Sequence, residues 1–186
     1  PLPISSSRWL ASQLLPFARK QASEPRVLDL NALVQDSLSL IRKLVGENIE
    51  VRAELDPALP PALIDPTQFH QILLNLGANA RDALDERGGG RLWIRTRQVS
   101  AGRRRTDQRV AVVVGNEGGP IPAPVLEKAF DPFFTTKEVG RGTGLGLSIS
   151  YGIIKKHRGS ITLDNVIGQG VEAVIELPCL LSDDHA

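Results

Sequence analysis

Residues 65–84 restrict the fold more than any other segment. Wound as a helix at about 100° per residue from Ile72, the side chains of Phe69, Ile72, Leu73, Leu76, Ala80, Ala83 and Leu84 share one side. Their arc is about 120° wide, the width of a stripe that faces a core. Gln68, Asn75, Asn79 and Asp82 line one border of that arc, and His70, Leu74, Gly77 and Arg81 lie opposite. Asp65-Pro66 opens the helix and Gly88-Gly89-Gly90 ends it. Such a helix lies with its apolar arc on other elements and its polar file beside them, looking into a cleft. Asn75 and Asn79 are four residues apart, so their amides sit one above the other. Amide oxygens are hard, neutral ligands suited to Mg²⁺ that carries phosphates. The plain alternative is a solvated boundary stripe, although two asparagines in mid-helix are poor helix formers.

A second segment reads Gly140-Arg-Gly-Thr-Gly-Leu-Gly-Leu-Ser148 and leads into a helix expected from about Gly144 to His157. Glycine at every second position clears side chains from a stretch where backbone approaches a ligand. With Leu145, Ile149 and Ile153 on one face, the helix aims its free amides and positive end at that loop, a ready phosphate site. No Gly-Lys-Ser/Thr is present, and the spacing is not that of a dinucleotide fingerprint. A flexible linker is the alternative, but linkers seldom run straight into an amphipathic helix.

The rest of the chain supplies the scaffold. Its 186 residues amount to one domain and a short appendage. Lys+Arg total 22 and Asp+Glu 21, for a net charge of +1, which excludes a nucleic-acid polycation or an acidic tail. The pattern predicts a helix over 5–21, a break at Ser23-Glu24-Pro25, a strand at 26–30, and a helix capped by Asn31 through about Val45. Strands follow at 48–54 and 62–64, then at 92–99, 109–114, 161–165 and 171–177. A short helix is expected near Pro124–Phe130, with irregular chain over 131–143. Arg103-Arg104-Arg105 reads as a solvated hairpin turn rather than a phosphate contact. Helices in two groups with several antiparallel strands indicate an α/β sandwich. Cys179, the single cysteine, reads as a plain buried or half-buried thiol of a reducing, cytoplasmic compartment. No apolar run reaches the length of a membrane span, and no signal peptide is expected. Without methionine, the chain reads as starting inside a longer protein or after a removed start.

Together, four segments resemble the catalytic, ATP-binding domain of bacterial sensor histidine kinases, in the superfamily shared with DNA gyrase, Hsp90 and MutL. Gln71-Ile-Leu-Leu-Asn-Leu-Gly-Ala-Asn-Ala-Arg-Asp-Ala-Leu84 resembles the N box of that family. Phe130-Asp-Pro-Phe-Phe-Thr-Thr-Lys137 resembles the F box, the glycine loop the G2 box, and Gly168-Gln-Gly170 the closing glycine motif. The match runs over about residues 24–178. It implies a Bergerat-type two-layer α/β sandwich: a mixed, mostly antiparallel sheet with helices on one face. Residues 1–23 resemble the end of a dimerisation and phosphoacceptor helix with its linker, and 24–186 the catalytic domain. The resemblance further implies that Asn79 coordinates Mg²⁺ and that Asn75 and Asp82 lie near the phosphates of ATP. Lys137 and Arg141 would reach the phosphates from a lid, and Gly142, Thr143, Gly144, Leu145 and Gly146 would offer backbone. Phe133 and Phe134 would anchor the lid or pack in the core. Implied partners are the phosphoacceptor domain of the same protein and the receiver domain of a response regulator, with no nucleic acid and no membrane contact.

Two positions depart from the family. Its adenine-reading Asp-x-Gly-x-Gly is here Asn116-Glu117-Gly118-Gly119-Pro120. Asn116 accepts without charge, so weaker adenine binding is expected. Asn75 stands where hydrolysing relatives carry a water-activating Glu, and an amide is no general base near neutral pH. The γ-phosphoryl should therefore await a histidine. His70, His157 and His185 lack the adjacent carboxylate and read as surface histidines, which puts the acceptor outside this chain. Three functions compete: the ATP-binding half of a histidine kinase, a degenerate nucleotide-binding or interaction module, and a gyrase- or Hsp90-type ATPase. The amide at position 75 argues against the third.

Overall fold

The computed structural model describes residues 24–100, 108–137 and 142–179. The expected helix over 5–21, the Arg103–Arg105 turn, Arg141 and His185 lie outside them. Strand β1 (Arg26–Leu28) leads into helix α1 (Leu30–Val45). Asp29, not Asn31, caps this helix: its carboxylate accepts the N–H groups of Asn31 and Ala32. Asn31 instead reaches across the fold. Its Nδ2 donates to the Asp56 carbonyl at 2.7 Å, and its Oδ1 accepts the Thr96 hydroxyl at 2.7 Å.

Next come β2 (Ile49–Glu54), β3 (Ala62–Ile64) and the long helix α2 (Pro66–Asp85). Proline at the first helical position has no N–H to lose there, and the Asp65 carboxylate accepts from Gln68 N–H at 3.1 Å. Strands β4 (Gly90–Ser100) and β5 (Gln108–Asn116) precede a single-turn helix, α3 (Ala123–Leu126). Helix α4 (Gly146–Lys156) and strands β6 (Ser160–Val166) and β7 (Gly170–Pro178) complete the described chain. The sequence placed these elements to within a few residues.

The main sheet has the order β2-β4-β5-β7-β6. The β2–β4 pair is parallel and every other pair is antiparallel. A two-stranded ribbon, β1 with β3, lies apart. Alternation along the strands sends Leu92 and Ile94, then Val110, Val112 and Val114, and Ala173, Ile175 and Leu177 to one face. There they form one core with Phe69, Ile72, Leu73, Leu76, Ala80 and Leu84 of α2 and Ile154 of α4. The expected apolar arc is the buried one, except that Ala83 is half-buried. The result is the two-layer sandwich expected from the sequence, with the helices on one face. On the other face Trp93 is buried, donating Nε1–H to Glu172 at 2.9 Å under the Arg95 guanidinium.

Two histidines differ from the sequence reading. Helix α1 packs on the side of α2 opposite the polar file, where Gly77 lies against Ile41 and Leu44. His70 is therefore half-buried, with Nδ1 2.6 Å from the Ser37 hydroxyl. His157 is buried: its Nδ1 is 2.8 Å from the Ile153 carbonyl and its Nε2 accepts the Asp65 N–H at 3.2 Å. Both are structural, because neighbouring elements cover faces that look open when each helix is drawn alone. Cys179 is half-buried, and burial pushes its thiol pKa up.

Candidate functional site

The polar file of α2 meets the start of α4. Asn75 donates from Nδ2 to the Gly146 carbonyl at 3.2 Å and to the Ser150 hydroxyl at 3.4 Å. These contacts hold the glycine loop against the middle of α2. No side chain caps α4, so the amides of its first turn stay available beside Asn75. Ser150 is a partner the sequence reading missed, although it lies one turn beyond Gly146. One turn further along α2, the half-buried Asn79 side chain has no hydrogen-bond partner among the described residues.

Asp82 carries the next polar side chain. Its Oδ1 accepts from Arg81 at 2.7 Å and 3.0 Å, and its Oδ2 accepts from Lys137 Nζ. Lys137 is thus turned onto the polar file of α2. Burial works to raise the Asp82 carboxyl pKa, but its hydrogen bonds and charge contacts with Lys137 and Arg81 outweigh burial and hold it below the usual carboxylate value. A carboxyl whose pKa is lower folded than unfolded stabilises the fold above its unfolded pKa, and that contribution disappears as pH falls through the folded value. The melting-temperature gap between the parent and Asp82→Asn should therefore narrow from neutral pH to about pH 2. A gap that stays constant over that range would show that ionisation of Asp82 contributes nothing to stability.

The loop contacts are close. Phe133 has φ +67° and donates its N–H to the Gly144 carbonyl at 2.9 Å. Gly144 has φ +64°, and a Cβ there would stand 2.4 Å from the Phe133 carbonyl carbon. The Phe133 side chain is 71% exposed, so the core-packing reading fails for it, whereas Phe134 is half-buried. Phe130 does pack, with its ring 5.5 Å from that of Tyr151. A side chain at Gly142 would collide with Thr135 and Lys137. The Thr143 hydroxyl accepts the Leu145 N–H at 3.3 Å.

At the far end of the file, Gly118 lies against Ala83, and its N–H donates to Asn116 Oδ1 at 2.8 Å. Glu117 turns away to Arg91, which donates to it from the backbone at 2.9 Å and from Nε at 2.8 Å. Hydrogen bonding to Arg91 holds the Glu117 carboxyl below its ordinary value. Gly170, at φ +123°, is pressed against the Asn116 backbone. Asn165 clamps Ile121 through both ends of its amide, each at 2.8 Å. At 1.5 Å per residue, Asn75 and Ala83 lie roughly 12 Å apart along α2, about the length of a nucleotide. One end of the α2 file carries the free amides of α4 and the Lys137 ammonium, and the other the glycine-rich turn after β5.

The family of histidine kinase-, DNA gyrase B- and HSP90-like ATPases matches residues 64–180, which include every part of this cleft. The chain belongs to this family. Among curated relatives of this ATPase domain, the sensor kinase CckA of Brucella abortus is 44% identical over 95% of the chain and 19% of its own length. The histidine-protein kinase AtoS of Escherichia coli is 36% identical over 94% of the chain and 27% of its own length. The domain therefore spans about a fifth to a quarter of these relatives. Among solved structures, a nucleotide-free catalytic domain of histidine kinase ThkA superposes with TM-score 0.66 at 36% identity, covering 84% of this chain and 98% of that one. Full-length ShkA in complex with AMPPNP gives TM-score 0.76 at 25% identity, covering 96% of this chain and 37% of that one. The ATPase domain thus has the α/β sandwich of histidine kinase catalytic domains.

Proposed function

We propose that the chain binds ATP with Mg²⁺ and, as the catalytic part of a sensor histidine kinase, passes the γ-phosphoryl group to a histidine on the phosphoacceptor domain of the same protein. Relay to the receiver domain of a response regulator follows, and the site of action is the cytoplasm. ThkA has been solved in complex with its response regulator TrrA, a relative at 30% identity and TM-score 0.67, covering 95% of this chain and 48% of that one, which supports that partner class. On this reading residues 24–186 are the catalytic domain, and 1–23 belong to the end of the dimerisation and phosphoacceptor helix with its linker.

One observation carries the reading: Asn79, without a hydrogen-bond partner among the described residues, lies on the polar file of α2 between Asn75, which holds the uncapped start of α4, and Asp82, which holds the Lys137 ammonium. The donor set fits Mg²⁺, since a half-buried amide oxygen without a partner among the described residues is a hard ligand for a cation that keeps most of its shell on phosphates and water. Asn79 would hold the ion, which when bound neutralises charge across the polyphosphate. The other residues position the substrate. Asn75 keeps the α4 amides aimed at the phosphates. Lys137 exchanges Asp82 for phosphate oxygen, with Arg141 as a second cation from the same segment. Gly142, Thr143, Gly144, Leu145 and Gly146 let the backbone approach. Phe133, on the carbonyl of Gly144, fixes the loop. Asn75 is an amide occupied by two acceptors, so it takes no proton from water, and the γ-phosphoryl survives until an imidazole arrives.

Calorimetry on Asn79→Ala tests the reading. ATP should bind at least about tenfold more weakly with Mg²⁺ present and nearly as in the parent without it. Equal losses in both conditions would remove Asn79 as the metal ligand, and no nucleotide binding by the parent would end the proposal.

A further inference from the structure

The two helices that carry the site are tied together at their other ends as well. At the cleft, Asn75 of α2 holds Gly146 and Ser150 of α4. About 15 Å away along both helices, the Asp65 N–H at the start of α2 donates to His157 Nε2 at the end of α4, at 3.2 Å. Both residues are buried. A backbone N–H can only donate, so Nε2 carries the lone pair. Nδ1 then carries the proton, which it gives to the Ile153 carbonyl at 2.8 Å. Asp65 is braced in turn. Its carboxylate accepts the Gln68 N–H at 3.1 Å and, from the chain that enters the domain, the Glu24 N–H at 2.9 Å. Burial works to raise the Asp65 carboxyl pKa, but the N–H groups of Gln68, Glu24 and Thr67 outweigh it and hold the carboxyl below its usual value. Between the two ties the packing is apolar: Ile154 is in the core with α2, and Leu147 and Ile153 pack against it.

We infer that Asp65 and His157 are positioning residues for the nucleotide site: their contact fixes the register of α4 on α2, and so the place of the α4 amides relative to Asn79. The inference rests on the nucleotide reading above and deepens it. Apolar burial has no direction, so a helix held by it alone slides or turns by a fraction of an ångström at little cost. A hydrogen bond weakens steeply outside a narrow range of distance and angle. One such bond leaves a helix able to pivot about it, and two at opposite ends do not. Asn75 supplies the first at the site itself, and His157 supplies the second from the far end of α4. Glu24 holds the Asp65 carboxylate, so the entering chain is joined to the same junction.

The test compares two amides of different reach at position 157, in the whole chain. Glutamine carries its oxygen about as far out as Nε2 and can accept the Asp65 N–H. Asparagine, one methylene shorter, cannot. The Mg²⁺ complex of ATP is titrated by calorimetry well below the melting temperature of each variant, where a residue that only stabilises the fold leaves affinity unchanged. His157→Asn should weaken binding about fivefold or more, and His157→Gln should return it to near the parental value. Parental affinity in His157→Asn would overturn the inference and leave the nucleotide site standing. Equal losses in the two variants would overturn it as well, since reach to Asp65 would then not matter. If His157→Asn is unfolded by circular dichroism, His157→Phe, which keeps a ring and lacks the acceptor, decides in its place. Unfolding of both would overturn the inference, because the contact would then hold the fold rather than the register. No binding of ATP by the parent would overturn the nucleotide reading and the inference together.

Discussion

Incubated with labelled ATP and Mg²⁺, this chain should take up no acid-labile phosphate and release inorganic phosphate very slowly. Two of its three histidines are described, and both are spoken for. His157 is 8% exposed, with both ring nitrogens in hydrogen bonds to backbone. His70 sits between α1 and α2 with Nδ1 against Ser37, on the side of α2 away from the polar file. Neither can bring a lone pair in line with a phosphorus held near Asn79. His185, outside the described residues, is followed by Ala186 rather than a carboxylate. A longer chain carrying the upstream helical domain should label. Holding nucleophile and phosphorus together replaces a very high concentration, so the difference between the two chains is orders of magnitude. Supplied as a separate molecule, the helical domain should restore labelling in proportion to its concentration. Strong labelling of this chain at His70 would overturn the assignment, since it would put the acceptor inside the ATP-binding domain.

Gly144→Ala should abolish measurable nucleotide binding while leaving a folded protein. A Cβ at 144 meets the Phe133 carbonyl carbon at 2.4 Å and its oxygen at 2.6 Å. Both are backbone, so no rotamer relieves the clash. The residue would also hold φ +64°, which costs about 1–2 kcal/mol for an alanine. The two backbones must separate, which breaks the Phe133–Gly144 hydrogen bond and shifts the start of α4. A displacement of about an ångström at such a site costs about a hundredfold. Residues 133 and 144 lie outside the core cluster, so the melting temperature should fall by only about 2–8 °C. Nucleotide titration and thermal melting on the same sample check both halves. Binding near the parental level would show that the loop tolerates the separation.

Secondary structure and the core face of α2 were legible because period and burial agree: Phe69, Ile72, Leu73, Leu76, Ala80 and Leu84 are buried as their spacing requires. The family motifs named the α2 file, the glycine loop and Lys137, which the fold brings together. What stayed hidden were choices between nearby polar groups. Asp29 and Asn31 both suit a helix cap, and only the reach of Asn31 to Asp56 and Thr96 decides between them. His70 and His157 look exposed on isolated helices and are covered by elements distant in sequence. The Lys137–Asp82 pair spans 55 residues, and no local pattern announces it. The family motif points to Asn116, but that its Oδ1 takes the Gly118 N–H depends on the turn that follows it.

Strand β5 has a consequence for the order in which the molecule forms. One edge of it joins the neighbouring β4, while the other must wait for β7, with Asn116 opposite Val171 across more than fifty residues of chain. Closing that loop is an entropic cost met before any of the contacts it makes possible. The turn where Gly170 rests on Asn116 therefore exists only in chains that have completed this long-range ladder. A ligand that needs that turn would stabilise the finished fold by mass action and give no help to partly folded chains.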